Sequence, residues 1–410
     1  MRARSQPSRV TVTLPGPTIG IVGGGQLGRM IGEAVARRGV EVVVLDPTPD
    51  CPAAPVVSEQ IVGGFDDETA IRELAERADV LTYEIELADP DVLESVAAEH
   101  DLPVHPDPDT LRTIQDKLVQ KSALADAGIP VPPFEAVSSA ADLEAALDRF
   151  GEVMLKAREG GYDGRGNRPV TDAAEVEAAL EELGTNAMAE AFVPFERELS
   201  VIGVVGADGV RTYPVTETIH REEILRESVT PARTDDAVAD RAEAVARDVL
   251  EFLDGRGVYG IELFETPDGE VLVNEIAPRP HNSGHWTIEG ARTSQFENHA
   301  RAVLGWPLGP TDCRGTTVTA NLLGDVSETG PARLRGVETI LGSPDVSLHW
   351  YGKNDVRPLR KMGHLTVAGA DSSADREPDA DRGGAADRLN RARELRDAVT
   401  FAPVDTPGTE

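Results

Sequence analysis

The beginning of the chain has the strand, loop, helix and strand order of a βαβ unit, and this order constrains the fold more than any other feature. Residues 18–22 are predicted to form a short buried strand that leads into the loop Gly23-Gly24-Gly25-Gln26-Leu27-Gly28. A helix is predicted over 29–38, where Gly39 ends it, and a second strand over 41–45. Strands that alternate with helices indicate a parallel sheet. The expected fold class of this part is therefore α/β.

The glycine loop itself leaves three interpretations open. Gly23, Gly25 and Gly28 have the spacing of a dinucleotide-binding loop, and Asp46 follows Gly28 by 18 residues, near the position of a ribose-binding acid. A different anionic ligand at the helix N-terminus fits the same pattern. So does a purely structural turn between strand and helix.

Farther along, long strands replace this alternation. Strands are predicted over 198–205 and 211–218. Two more, over 257–265 and 270–276, flank Thr266-Pro267-Asp268-Gly269, which is typical of a hairpin turn. Antiparallel strands with separate helices make the later part of the chain α+β.

The chain length of 410 residues predicts two to three domains. We expect a disordered tail over 1–14, an N-terminal parallel-sheet βαβ domain over 15–112, a central domain over 113–310, and a small C-terminal domain over 311–400 with an acidic loop at 371–384.

The charge balance is unusual and limits the possible partners. Asp and Glu number 72 against 40 Lys and Arg, so the net charge is −32. This acidity argues against nucleic-acid binding, which requires a basic surface. It also suggests a halophilic protein, because concentrated salt screens the self-repulsion of an acidic surface.

Compartment and redox state follow from what the sequence lacks. It contains no apolar run of membrane-spanning length and no signal-peptide pattern, so we expect a cytoplasmic protein without a membrane partner. Cys51 and Cys313 lie far apart, which predicts neither a disulfide framework nor a zinc site.

Lysine is scarce in this chain, and its positions are informative. Only five of the 40 basic residues are lysines, namely Lys117, Lys121, Lys156, Lys353 and Lys361. The last two lie within nine residues of each other, beside Arg357 and Arg360. Clustered cations repel each other unless an anion lies among them, and a phosphate is the expected anion. A solvated basic face is the alternative.

A second glycine-rich segment is predicted to bind phosphates. Residues 160–166 follow a predicted strand over 153–156 and contain four glycines, whose backbone amides can surround a phosphate chain. Lys156, at the end of that strand, would point at the same phosphates. The alternative is a flexible hairpin tip.

Opposed carboxylates on the predicted hairpin indicate a cation site. Glu262 and Glu275 lie on its two strands, and such a pair repels unless a cation lies between them. Oxygen ligands beside a phosphate favour Mg²⁺, while a surface pair on an acidic protein is the alternative. The loop that follows contains His281 and His285, which could line a small-anion site or, at i and i+4, bind a metal.

Together these segments resemble the ATP-grasp ligases and, within them, the family of 5-(carboxyamino)imidazole ribonucleotide synthases of purine biosynthesis. The resemblance extends over 18–366. It rests on Gly25-Gln26-Leu27-Gly28-Arg29-Met30, Thr82-Tyr83-Glu84-Ile85-Glu86, the loop 160–166, Asn274-Glu275-Ile276-Ala277-Pro278-Arg279, His281-Asn282-Ser283-Gly284-His285-Trp286-Thr287, Ser294-Gln295-Phe296-Glu297 and Trp350-Tyr351-Gly352-Lys353.

The resemblance implies a pre-ATP-grasp domain, a central ATP-grasp domain with a lid at 160–166, and a small C-terminal domain. The implied reaction joins bicarbonate to aminoimidazole ribonucleotide with ATP and Mg²⁺, through carboxyphosphate, in the pathway to IMP. The family is commonly dimeric, so a homodimer is expected.

The resemblance also implies roles for individual residues. ATP would be bound by Lys117, Lys156, Gly161, Tyr162, Asp163, Gly164, Arg165, Gly166, Glu190, Ala191, Phe192, Val193, Glu198, His220, Asn274 and Glu275. Mg²⁺ would be held by Glu262 and Glu275. Catalytic roles would fall to Tyr162, Asp163, Arg279, His281 and Asn282, and the ribonucleotide would be bound by Gln26, Leu27, Glu84, Lys353, Arg360 and Lys361.

Two positions depart from the family pattern. Lys117 stands where many relatives carry arginine, and Leu359 replaces the usual glycine. The runner-up interpretation is another ATP-grasp ligase, such as the formate-using glycinamide ribonucleotide transformylase. An oxidoreductase leaves the second glycine loop and the glutamate pair without a role, and a nucleotide sensor without catalysis is a further alternative.

Overall fold

The computed structural model describes residues 12–160, 166–369 and 378–401. Residues 1–11, most of the tail predicted over 1–14, lie outside the described residues. So do 161–165, which include Gly161, Tyr162, Asp163, Gly164 and Arg165, and 370–377, the first part of the expected acidic loop.

The N-terminal domain is built on a parallel sheet, as predicted. Four strands lie in the order β3-β2-β1-β4, and all of their pairings are parallel. The elements are β1 (Ile19–Val22), α1 (Gln26–Val35), β2 (Val42–Asp46), β3 (Glu59–Val62), α2 (Glu68–Ala75), β4 (Val80–Tyr83), α3 (Pro90–His100) and α4 (Pro108–Gln115). Gly39 has a φ of 59° just after a short 3₁₀ turn, so it ends the first helical segment as expected.

Aspartates supply several of the helix N-caps. The side chains of Asp67, Asp89 and Asp107 accept hydrogen bonds from backbone N–H groups at the starts of α2, α3 and α4. A carboxylate at this position satisfies unpaired N–H groups and interacts favourably with the helix dipole. Part of the acidic composition therefore has a local structural role.

The first part of the central domain is a four-stranded antiparallel sheet in the order β5-β8-β6-β7. Its elements are α5 (Lys117–Asp126), β5 (Phe134–Val137), α6 (Ala140–Phe150), β6 (Val153–Ala157), β7 (Asn167–Val170), α7 (Val176–Leu183) and β8 (Ala187–Ala191). In the chain, the glycine-rich segment 160–166 follows β6 and precedes β7.

A second, larger sheet forms the rest of the central domain. Its elements here are β9 (Arg197–Gly206), β10 (Gly209–Thr212), β11 (Thr216–Arg221), β12 (Ile224–Thr230), α8 (Asp236–Phe252), β13 (Gly257–Glu265), β14 (Val271–Ala277), α9 (Thr287–Gly290) and α10 (Gln295–Val303). The predicted hairpin is present as β13 and β14, and Glu262 pairs with Glu275 across it.

The C-terminal strands continue this same sheet. The order is β14-β13-β9-β11-β12-β15-β20-β18, with β10 beside β9. The remaining elements are β15 (Thr317–Leu323), β16 (Gly330–Pro331), β17 (Leu334–Arg335), α11 (Val337–Leu341), β18 (Val346–Trp350), β19 (Asp355–Val356), β20 (Lys361–Ala368), α12 (Pro378–Asp397) and β21 (Thr400–Phe401). Strand pairing of β12 with β15 therefore joins the central and C-terminal parts through backbone hydrogen bonds.

Two expectations for secondary structure were wrong. The strand predicted over 211–218 is two strands, β10 and β11, separated at Tyr213-Pro214-Val215, because a proline has no N–H to donate to a ladder. The loop expected over 371–384 is helical from Pro378 onward, since proline is favoured in the first turn of a helix. The paired glycines at 383 and 384 concealed this helix in the sequence.

The three parts share buried contacts. One apolar cluster combines Ile31 of α1, Phe296 of α10 and Tyr351 from the C-terminal part. This packing fixes the N-terminal sheet against the large sheet, at the place where the loops that carry the predicted site residues meet. No helix in the described ranges combines the length and the apolar character needed to cross a membrane.

Candidate active site

The predicted site residues from all three parts of the chain meet in one cleft of about 1680 Å³. The lining residues that sequence analysis named are Gln26, Leu27, Glu84, Lys117, Lys156, Glu190, Ala191, Phe192, Val193, Glu198, His220, Glu262, Asn274, Glu275, Arg279, His281, Asn282, Lys353, Arg360 and Lys361. Gly166 lies at the end of the glycine-rich segment and does not line the cleft in the described structure. The individual roles of these residues remain predictions.

The first glycine loop is occupied by carboxylates of the chain itself. Glu84 follows β4 and accepts hydrogen bonds from the backbone N–H groups of Gly25 and Gly28. Asp46 accepts one from Gly24 at 3.0 Å. A Cβ at Gly23 would lie 2.4 Å from the Glu84 side chain, so the close approach requires glycine. The amides that would bind a dinucleotide pyrophosphate are therefore already bonded.

Burial changes the acidity of Glu84. Removal from water raises the pKa of its carboxyl group to about 7, although the two N–H donors oppose this shift. Its neighbour Glu86 forms an ion pair with Arg279 at 2.8 Å. This pair joins the N-terminal sheet to the loop after β14, and it places the two predicted binding regions side by side.

The nucleotide end of the cleft contains a buried group of charges. Lys156 on β6 contacts Glu190 on β8 at 2.6 Å, and its Nζ donates to the Asn274 side chain at 3.3 Å. Lys121 on α5, which sequence analysis left without a role, contacts the same glutamate at 2.8 Å. The Glu190 side chain therefore lies between two lysines.

Lys117 is held at the cleft by its backbone. It is the first residue of α5, and its N–H donates to the Arg158 carbonyl at 2.9 Å. The Arg158 guanidinium in turn donates to both carboxylate oxygens of Asp116. Arg158 therefore connects the start of α5 to the segment that enters the glycine-rich loop, a contact that nothing in the sequence indicated.

Glu198 and His220 face each other across neighbouring strands. His220 Nδ1 lies 2.9 Å from a Glu198 carboxylate oxygen. Burial lowers the pKa of the imidazole, but Glu198 and Glu262 outweigh this effect, and the pKa of His220 is raised. The Glu198 carboxylate, which is predicted to bind ATP, is thus fixed in orientation by His220.

The carboxylate pair on the hairpin fits a divalent cation. Burial, with the repulsion of Glu275, raises the pKa of Glu262 to about 7, although His220 opposes the shift. This repulsion would be relieved by a hard cation between the carboxylates. Among the described residues no group of three or more His, Cys, Asp or Glu could hold a metal ion, so a cation here would need further ligands from phosphates or water.

The polar loop after β14 is held by its neighbours. Gln295 accepts a hydrogen bond from the His281 N–H at 2.9 Å and donates to its carbonyl at 2.7 Å. His281 Nε2 lies 3.7 Å from Glu262. Burial lowers the pKa of His281 well below its ordinary value, so the imidazole is neutral at physiological pH. The described structure does not bring His281 and His285 together on a helix: they flank a 3₁₀ turn.

Asn282 is positioned by a residue that sequence analysis missed. Its amide exchanges two hydrogen bonds with the Asn321 amide, at 3.2 and 2.7 Å, and Asn321 also donates to the Leu225 carbonyl at 2.9 Å. Asn321 lies on β15 in the C-terminal part. Only the register of the large sheet brings these two asparagines together, and the sequence carried no signal of it.

The cationic cluster of the C-terminal part also lines the cleft. Lys353 Nζ donates to the Lys361 carbonyl at 2.6 Å and lies 5.5 Å from the centre of the Tyr351 ring. Arg360 donates to the Asp355 carbonyl at 2.7 Å. Leu359 has a φ of 61°, the left-handed conformation that favours glycine, the residue that the resemblance leads us to expect there.

Three family models match consecutive parts of the chain. They describe a ribonucleotide synthetase preATP-grasp domain over 17–115, an ATP-grasp domain over 122–296, and a phosphoribosylaminoimidazole carboxylase C-terminal domain over 317–377. An N5-carboxyaminoimidazole ribonucleotide synthase of Brucella melitensis is 43% identical over 357 residues, which span 86% of this chain and 96% of the relative. The chain belongs to the N5-carboxyaminoimidazole ribonucleotide synthase family.

Longer relatives and solved structures agree with this assignment. The chain matches a phosphoribosylaminoimidazole carboxylase of Ogataea methanolica with 42% identity over 85% of its own length and 66% of that protein. A crystal structure of the N5-carboxyaminoimidazole synthase of Aspergillus clavatus, in complex with ADP and 5-aminoimidazole ribonucleotide, has a TM-score of 0.83 and 34% identity, covering 93% of this chain and 98% of that one. The expected ATP-grasp fold, with its N-terminal parallel sheet and C-terminal part, is confirmed.

Proposed function

We propose that the protein carboxylates 5-aminoimidazole ribonucleotide with bicarbonate, using ATP, and gives 5-(carboxyamino)imidazole ribonucleotide, ADP and phosphate. One observation carries the proposal: the lysine-bearing nucleotide end, the loop of Arg279, and the cationic cluster of Lys353 line one continuous cleft. A ligase of this type must hold three reactants in contact, and a single cleft lined by cations from the central and the C-terminal parts suits two phosphate-bearing molecules.

The proposed reaction has two steps. A bicarbonate oxygen attacks the γ-phosphorus of ATP, the bond to ADP breaks, and carboxyphosphate forms. The ribonucleotide amine then attacks the carboxyl carbon, phosphate leaves, and the amine loses a proton. Phosphoryl transfer depends on positioned charge more than on a covalent nucleophile, which fits a cleft lined by fixed cations.

In this proposal the loop after β14 binds the small reactant. Arg279 and the Asn282 amide would bind bicarbonate and then carboxyphosphate. Neutral His281 has an unprotonated ring nitrogen that could accept a proton there and become a cationic imidazolium. Tyr162 and Asp163, proposed to orient the amine, lie outside the described residues.

The remaining expectations are part of the same proposal. Glu262 and Glu275 would hold Mg²⁺, which would neutralise charge on the ATP phosphates during transfer. We further propose a cytoplasmic, halophilic enzyme that forms a homodimer. The acidic composition, with a net charge of −32, supports the halophilic part. Analytical ultracentrifugation in molar salt tests the dimer.

The test of the reaction is ADP release by the full chain in molar salt with Mg-ATP. We expect release that requires both bicarbonate and aminoimidazole ribonucleotide, with the product identified by mass. Formate with glycinamide ribonucleotide serves as the competing pair. Release with that pair and none with the first would contradict the proposal while leaving the ATP-grasp assignment intact.

A further inference from the structure

Lys121 is a buried charge that neither the proposed reaction nor the resemblance uses. Its side chain is 2% exposed, on the inner side of α5, and it does not line the cleft. Burial lowers the pKa of Lys121 to about 8, with the pair to Glu190 opposing the shift, so the ammonium group remains charged at neutral pH. Burying a charge is costly, and an unused buried lysine in a chain with five lysines requires an explanation.

The contacts of Lys121 bring three elements together. Its Nζ contacts Glu190 on β8 at 2.8 Å and donates to the Val273 carbonyl on β14 at 2.7 Å. β8 belongs to the small sheet and β14 to the large one. Lys121 therefore bridges the two sheets between which the nucleotide end of the cleft lies.

Lys121 can affect the cleft through Glu190, which also contacts Lys156. Glu190 is 3% exposed and contacts Lys121 through one carboxylate oxygen and Lys156 through the other, at 2.8 and 2.6 Å. Of the two lysines only Lys156 lines the cleft. Two ammonium groups and one carboxylate leave the group with a net charge of +1.

Without Lys121 this balance changes. Glu190 alone would neutralise Lys156, and a neutral pair at the cleft wall attracts phosphate weakly. The carboxylate would also compete with phosphate oxygens for the three Nζ hydrogens of Lys156, because no second cation would hold it back.

We propose that Lys121 is a positioning residue that holds the Glu190 carboxylate and so keeps the charge of Lys156 available to nucleotide phosphates. This inference rests on the proposed nucleotide site and names a determinant within it. Lys121 acts through Glu190 and does not touch the nucleotide.

The test uses the full chain and the dissociation constants of ADP and of ATP, measured by calorimetry without the other substrates. Lys121→Met keeps the length of the side chain and removes its charge. We expect nucleotide binding to weaken about tenfold or more, because Glu190 would then neutralise Lys156. A tenfold change in the dissociation constant corresponds to about 1.4 kcal/mol. Lys156→Met is the reference for complete loss of the phosphate contact.

The double variant separates positioning from simple packing. Glu190→Gln in the Lys121→Met background removes the competing carboxylate, so we expect the double variant to bind nucleotide more tightly than Lys121→Met and within about threefold of Glu190→Gln alone. If the double variant binds no better than Lys121→Met, or if Lys121→Met binds as wild type does, the inference is overturned.

Two further comparisons protect the test from ambiguous results. If Lys121→Met alone fails to fold, the pair Glu190→Gln and Lys121→Met/Glu190→Gln is compared. Equal nucleotide affinity supports the inference, and a loss in the double variant overturns it. A wild-type protein that binds ATP but carboxylates no ribonucleotide would contradict the proposed function alone, whereas one that binds no nucleotide would overturn both.

Discussion

A few lysines supply much of the positive charge in the cleft, because lysines are few in this chain and carboxylates are many. The lysines in the cleft lie among backbone carbonyls and carboxylates that orient them, as Lys353 does beside the Lys361 carbonyl and the Tyr351 ring. Oriented cations lose little side-chain freedom when an anion binds. The effects of substituting them should therefore be specific to one substrate.

Lys353→Ala should weaken binding of aminoimidazole ribonucleotide about tenfold or more and leave ATP affinity within about twofold, since one charge-assisted phosphate contact contributes about 1.5–3 kcal/mol. Calorimetric titration with each ligand measures both effects. Arg211→Ala on β10, which removes the same charge from an exposed pair with Asp208, is the control. Equal losses of affinity for both ligands would show that Lys353 does not act on the ribonucleotide alone.

Leu359 adopts a conformation that suits glycine, and its substitution should change stability. A non-glycine residue in the left-handed region costs the folded state about 1–2 kcal/mol of strain. Replacing it by glycine removes this strain, but it lowers the free energy of unfolding by about 0.4–1 kcal/mol because the unfolded chain gains entropy. Leu359→Gly should therefore raise the free energy of unfolding by about 0.5–1 kcal/mol, measured by urea denaturation. Leu359→Ala keeps the strained φ and should give no gain. A gain of the same size in Leu359→Ala would point to the exposed side chain instead.

At the scale of elements, the C-terminal helix α12 is attached to the large sheet by apolar packing and by one buried carboxylate. Leu389 and Leu395 of α12 pack with Val318 and Leu365 of the sheet. Glu227 on β12 is fully buried and accepts hydrogen bonds from Arg393 and Arg396 of the helix. Burial alone would raise the pKa of Glu227, but these two guanidinium groups lower it.

Replacing both arginines by methionine should destabilise the protein by about 3–5 kcal/mol at neutral pH, because a buried carboxylate is left without a partner. The lowered pKa of Glu227 means that the wild-type contribution is present above the unfolded pKa and is lost as the pH falls through the folded pKa. In the double variant the pKa of Glu227 should instead be raised. The loss of stability of the double variant relative to wild type should therefore become smaller as the pH falls.

Thermal unfolding at pH 7 and at pH 5 measures both effects. Glu227→Gln added to the double arginine variant is the matched control and should restore most of the lost stability at pH 7. A deficit that is the same at both pH values, or that Glu227→Gln does not reduce, would show that α12 is held by packing alone.

At the scale of the whole molecule, the net charge affects the stability of the fold. A net charge of −32 lies over a single chain whose parts are joined by the β12–β15 pairing and by the cluster of Ile31, Phe296 and Tyr351. Self-repulsion of this size opposes the compact state and is screened within about 10 Å at 0.1 M salt. Stability should therefore depend on ionic strength.

We expect the melting temperature to rise by about 5 °C or more between 0.1 and 2 M potassium chloride, since each kcal/mol shifts Tm by about 2–4 °C in domains of this size. Differential scanning calorimetry measures it. Sucrose at matched osmolality is the control for preferential exclusion and should give a smaller rise. A melting temperature indifferent to salt would remove the halophilic part of the proposal.

Local patterns predicted those parts of the structure that depend on neighbouring residues. The βαβ alternation, the hairpin that opposes Glu262 and Glu275, and the left-handed Gly39 are all consequences of short-range backbone preferences and hydrophobic period. The lysine positions predicted residues that line the cleft, because lysine is scarce enough in this chain to be noticed in the sequence alone.

Only the tertiary structure decided which distant groups meet. Glu190 lies between Lys121 and Lys156, Asn321 meets Asn282, and Glu84 fills the loop that resembled a dinucleotide site. These contacts depend on strand order and register, and the sequence contains no local signal of which strands become neighbours. The sequence by itself therefore determined the kinds of groups that the cleft contains, and long-range packing decided which of them hold one another in place.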